Sequence, residues 1–122
     1  MRAAIAAAVL ALAIAPVPAL AATAQDWLVK AERLNGMGMR AMFSSETRPT
    51  LSAFRDAAKA SREENARAKA AGKPLYCPPD KSARMKPEEL IAMLKAVPEE
   101  RRRTVPLQVA WREAMVKRFP CR

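Results

Sequence analysis

Hydrophobic positions fall into two regimes along this chain. From Ala3 to Ala15 they are continuous, whereas from Gln25 onward they recur every three or four residues. The continuous run follows Met1-Arg2 and is broken by Pro16 and Pro18. Ala19-Leu20-Ala21 and Ala22-Thr23-Ala24 come next, both of small-x-small form. A charged start, an apolar stretch of about a dozen residues and a small-residue cleavage site make a secretory leader. The run is too short to span a bilayer, which needs ~20 apolar residues. The expectation is a signal peptide over 1–24, cleaved after Ala24 or, as the close alternative, after Ala21. No Cys stands at the cut, so no lipid anchor is expected. Residues 25–122 then form one small domain, periplasmic if the source is a Gram-negative bacterium.

The periodic region predicts helices throughout. Ala, Glu, Lys and Arg dominate it, Val and Ile are scarce, and no period-two alternation occurs. Asp26 is placed to cap a first helix reaching about Phe43, with Trp27, Ala31, Leu34, Gly38 and Met42 as its apolar stripe. Gly36 and Gly38 weaken that helix and mark either a kink or a close helix–helix approach. After the polar loop 44–49, a second helix starts at Pro49 or Thr50. Leu51, Phe54, Ala57, Ala58 and Ser61 share one of its faces, and Gly72 is its stop. Beyond Ser61 its apolar side holds only Ala66, Ala68 and Ala70, so that half is expected to project into solvent or pack thinly. Pro74, Pro78 and Pro79 forbid regular structure across 73–86.

Pro87 opens a third helix with Glu88 and Glu89 in its first turn and Leu90, Ile91, Leu94 and Val97 on its face. Pro98 ends it, and Glu99 to Arg103 make a short turn. Thr104 is placed to cap a last helix with Pro106 in its first turn. Its stripe is Leu107, Ala110, Trp111, Ala114, Met115 and Phe119, and Pro120 stops it. The predicted fold is all-α, a small single-domain bundle of about four helices. A core of that size is marginal without a staple.

Cysteine supplies the staple. The chain holds two Cys, and in an exported protein two Cys imply one disulfide, here Cys77–Cys121. A closed loop of roughly 45 residues is worth roughly 4 kcal/mol on the chain-entropy model. A redox-active thiol is the lesser alternative, because no Cys-x-x-Cys is present.

Charge and chemistry narrow the function. Lys and Arg number 22 against 12 Asp and Glu, a net +10, which becomes +9 when Arg2 leaves with the leader. Nucleic acid would fit this excess in the cytosol, but export moves the acidic partner to a protein or an envelope surface. Arg101, Arg102, Arg103, Arg112, Lys117, Arg118 and Arg122 face only Glu113 in the last stretch. They read either as a docking patch or as a solvated basic face that suits the helix dipole. With no His in the chain, the commonest general base and metal ligand are missing. Two Cys do not fill a zinc site, and no Gly-rich phosphate loop or Ser-His pair occurs. The expectation is a non-enzyme without cofactor or metal, and with no integral membrane span.

Leu75-Tyr76-Cys77-Pro78-Pro79, the helix Leu90 to Pro98, Glu99-Glu100-Arg101-Arg102 and the closing Phe119-Pro120-Cys121 form a recognisable series. It resembles the Rap/Tai immunity proteins of type VI secretion systems, over about residues 75–121. The resemblance implies an exported, all-helical, disulfide-stapled protein. Such a protein neutralises a cell-wall-degrading effector of the amidase type by occluding its active site. It also implies a protein partner that hydrolyses peptidoglycan, and it leaves a homodimer open. On this model the contact regions are the crossing loop, with Tyr76, Asp80, Lys81 and Arg84, and the turn of Arg101, Arg102 and Arg103. Three other readings compete. One is an acid-stress chaperone resembling the Hde proteins; one is a cationic protein that touches anionic lipid or lipopolysaccharide; the third is a helical protein of another envelope role.

Overall fold

The computed structural model describes residues 22–79 and 85–122. The leader, and the contact candidates Asp80, Lys81 and Arg84, lie outside the described residues. Helix α1 spans Ala24–Met37, a 3-10 segment follows over Gly38–Phe43, and α2 spans Thr47–Ala70. After the crossing segment come α3, Pro87–Lys95, the short α4, Glu99–Arg102, and α5, Leu107–Arg118. The described residues contain helices and no strand, so the all-α bundle is as expected, with four longer helices and one single turn.

The N-terminus of α1 is set by a capping box. The Thr23 hydroxyl accepts from the Asp26 backbone N–H at 3.3 Å, and the Asp26 carboxylate accepts from the Thr23 N–H at 2.8 Å. The expected cap, Asp26, is therefore the third helical residue, and Thr23 is the cap. Ala24 is fully buried and its N–H donates to the Val105 carbonyl at 2.9 Å, which pins the start of α1 to the segment before α5.

Helix α1 does not reach Phe43. It stops at Met37, where Gly38 adopts φ +59°, a backbone conformation that side chains disfavour. A Cβ at Gly36 or Gly38 would meet open space. The two glycines thus mark a break in the helix rather than a close approach. Pro49, expected at the start of α2, lies inside its first turn, which begins at Thr47. The Thr104 hydroxyl, expected to cap α5, instead donates to the Arg101 carbonyl at 3.0 Å, and Pro106 takes the capping position.

Helix α5 is the centre of the bundle. It packs most extensively on α2 and also against α1 and α3. Ala110 and Ala114 are buried on it, which lets neighbouring helices approach. Trp111 meets Phe54 of α2 edge to face, with ring centroids 6.2 Å apart. Leu28, Leu94, Val97 and Val105 complete the interior.

The Cys77–Cys121 disulfide forms, with Cα atoms 5.0 Å apart. The Cys77 N–H also donates to the Phe119 carbonyl at 2.8 Å. A second clamp holds the crossing segment from the other side. The Asn65 amide oxygen accepts from the N–H groups of Leu75 and Tyr76 at 2.8 and 3.2 Å, and its NH2 donates to the Tyr76 carbonyl at 3.0 Å. Ser61, fully buried, hydrogen-bonds the Tyr76 hydroxyl at 2.9 Å. Glu64 pairs with Arg112 of α5 at 2.8 Å. The second half of α2 thus does more than pack thinly. Polar side chains at 61, 64 and 65 fasten it to the crossing segment and α5, and only its end, from Ala66 on, faces solvent for the most part.

Candidate partner-binding surfaces

The arginine run is three residues with three separate fates. Arg102 is buried, 8% exposed. Its Nη1 donates to the carbonyls of Val97, Lys95 (3.2 Å) and Leu94 (3.5 Å), and its Nε donates to the Gln25 side chain at 2.8 Å. Lys117 adds a bond to the Ala96 carbonyl at 2.8 Å. The four carbonyls that end α3 and its following turn are therefore capped by two cationic side chains, where the helix dipole favours positive charge. Arg102 is a structural cap, which corrects its expected place on a contact surface.

Arg101 and Arg103 are exposed, yet each is paired. Arg101 donates through Nε and Nη2 to one Glu113 carboxylate oxygen at 2.9 and 2.7 Å. That bond and the carboxylate's charge push the Arg101 guanidinium still further up from its ordinary value. Arg103 pairs with Glu99, four residues earlier, at 2.8 Å. The run thus presents two half-neutralised guanidinium groups and buries the third. The other expected contact in the described part of the crossing loop, Tyr76, is 2% exposed. Its ring packs in the core and its hydroxyl is used by Ser61, so it offers a partner no side-chain surface. This too corrects the sequence reading.

The exposed apolar surface lies elsewhere, where α1 breaks. A 3-10 helix has three residues per turn, so residues three apart share a face. Gly38 and Ala41 line a groove. The two remaining faces carry Met39 with Met42 and Arg40 with Phe43, all outward. Met39, Met42 and Phe43 are 81%, 75% and 90% exposed. Three large apolar side chains at such exposure within five residues depart from the usual scatter of single apolar residues on a surface.

The groove beside this ridge has a volume of about 390 Å³. Leu34 of α1, Leu51 and Phe54 of α2, and Leu90 and Ile91 of α3 form its apolar walls. Its threonines make internal bonds: Thr47 donates to the Ala41 carbonyl and Thr50 to the Glu46 carbonyl, the latter at 2.7 Å. What they present to the groove is therefore largely methyl surface. Such a cleft suits an aliphatic or aromatic anchor and asks for few hydrogen bonds. Among the described residues, no cluster of three or more metal-ligating side chains occurs, and every buried side-chain nitrogen or oxygen has a partner.

Sequence reasoning missed this surface because Gly38 and Met42 fit the spacing of a continuous apolar stripe. The signal available was the Gly-x-Gly at 36–38, which ends the helix and turns the methionines outward.

No family model matches the chain, and no curated protein or solved structure is significantly similar to it. Among the described residues, no helix is long and apolar enough to cross a membrane.

Proposed function

We propose that this is an exported protein-binding module of the immunity type. It sequesters a cell-wall-degrading effector, of the kind suggested by the resemblance over residues 75–121. The carrying observation is the apolar groove lined in part by Gly38 and Ala41, together with the exposed Met39, Met42 and Phe43 of the same 3-10 segment, surfaces whose chemistry suits a protein partner. The disulfide, the Asn65 clamp and the Arg102 cap fasten the small domain together. A pre-ordered surface loses little freedom on binding. The disulfide itself suits an oxidising compartment such as the periplasm, in keeping with a leader over the first residues.

The test is co-expression in the periplasm with a peptidoglycan hydrolase encoded beside this gene. Rescue of growth by this protein, and co-purification of the two, are expected. Lysis that proceeds unchanged in its presence would overturn the immunity reading. The same exposed ridge also suits an acid-stress chaperone, and suppression of client aggregation at acid pH without any rescue would favour that reading instead.

A further inference from the structure

The geometry points to the groove beside the 3-10 segment as the docking site for an acidic amphipathic helix of a protein partner. The helix would seat an apolar anchor in the groove and lay its carboxylates along α2. This inference rests on the proposed binding function and names the surface and the ligand chemistry.

Two features select that occupant. The first is shape. The groove is concave, about 390 Å³, and walled by three helices. Met39, Met42 and Phe43 are exposed on the same 3-10 segment whose Gly38 and Ala41 line it. An apolar ridge alone would equally suit a lipid surface, but a cleft beside it fits inserted side chains at helical spacing.

The second feature is charge. Arg40, Arg48 and Arg55 are exposed in the 3-10 segment and the first half of α2. Arg48 and Arg55 share a shallow depression with Leu51, which also walls the groove. Asp56 is the carboxylate in that depression. Nearby, Glu46 is engaged by Arg33, and Glu32 is engaged by Lys95 at 3.2 Å. The α2 lip is therefore net basic. On the other lip, Lys86 and Glu88 flank the groove-lining Pro87 at the start of α3, so their charges balance. The basic α2 lip orients a bound helix with its acidic flank over α2. Methionine at the rim adapts to differing apolar anchors without a change of backbone.

The experiment uses the disulfide-bonded protein and two labelled helical peptides. Both carry Leu at every third or fourth position; one is flanked by Glu and the other by Lys. Fluorescence anisotropy is expected to show binding of the Glu peptide, weakening with salt, and at least about tenfold weaker binding of the Lys peptide. Met42→Ser with Phe43→Ser changes only solvent-exposed side chains and leaves the melting curve intact. It is expected to weaken the Glu peptide by about tenfold or more. Arg48→Glu with Arg55→Glu is expected to abolish the preference between peptides.

Equal affinity for the two peptides, or indifference to the double serine variant, overturns the proposal. Phe43-dependent binding to phosphatidylglycerol vesicles without peptide binding assigns the ridge to a membrane and overturns it as well. So does a concentration-dependent dimer in sedimentation that the Glu peptide does not dissociate. The two readings separate cleanly. Rescue from an effector that survives Met42→Ser with Phe43→Ser removes this site and keeps the immunity function. Peptide binding without rescue from any effector does the reverse.

Discussion

Replacing Arg102 by Met tests whether one residue of a surface-looking arginine run holds the fold together. Methionine keeps most of the apolar stem, which packs as part of the interior, and removes the guanidinium. The change deletes the bonds to the Val97, Lys95 and Leu94 carbonyls and to the Gln25 side chain. The Leu94 carbonyl retains a partner in the Val97 N–H, at 3.1 Å, so the principal losses are the Val97, Lys95 and Gln25 bonds. Hydrogen bonds to a charged group contribute about 1.5–3 kcal/mol each. Part of that is offset because the variant no longer buries a charge without a carboxylate partner. The net loss is therefore about 3 kcal/mol, a large share of the ~5–15 kcal/mol that holds a domain folded. For a domain of this length, ~4–8 °C per kcal/mol gives a fall in Tm of about 10–25 °C. Arg103→Met is the control, because Arg103 is exposed and its pair with Glu99 spans one helical turn; such pairs contribute ~0.3–0.5 kcal/mol. Thermal and urea melts by circular dichroism read both. Equal midpoints for the two variants would refute the argument and return Arg102 to the surface.

Reducing the Cys77–Cys121 bond, or replacing both residues by Ser, closes no loop across the 44-residue separation. It is expected to lower stability by about 4 kcal/mol in urea melts, and an unchanged midpoint would show that the Asn65 clamp alone suffices. Tyr76→Phe leaves the buried Ser61 hydroxyl without its partner. A loss of about 1–2 kcal/mol is expected, and Ser61→Ala in the same background should lose little more, which a double-mutant cycle measures. Cleavage after Ala24 would remove the Thr23 cap and the buried Ala24. Intact-mass measurement of exported protein is therefore expected to show Ala22 as the first residue, and a start at Gln25 would mean that α1 forms without its capping box.

The helices were legible because their boundaries are written in residues with strong local physics. Pro87 begins α3 and Pro120 follows α5, and the apolar spacing of Leu94, Val97, Trp111 and Met115 reads directly as buried faces. The disulfide was legible because two cysteines allow only one pairing. The fate of each arginine in 101–103 was not, because adjacent helical residues diverge by about 100°. Which one turns inward depends on where the end of α3 lies, and that is a long-range fact. Tyr76 misled for a related reason. A tyrosine in a proline-rich loop looks exposed until Ser61 and Asn65, 15 and 11 residues earlier, are seen to receive it.

The missed ridge follows from a competition that local pattern does not resolve. Met42 continues the spacing of Trp27, Ala31 and Leu34, and a continuous helix would have buried it. Gly38 at positive φ ends that helix one turn too soon, and the tighter 3-10 turn rotates Met39, Met42 and Phe43 into solvent. A stable small domain does not gain from exposing three large apolar side chains in five residues. The buried core, the Arg102 cap and the cysteine staple do not use these three side chains. The staple and the Arg102 cap use residues between 75 and 121, and the proposed docking surface draws chiefly on residues between 38 and 55.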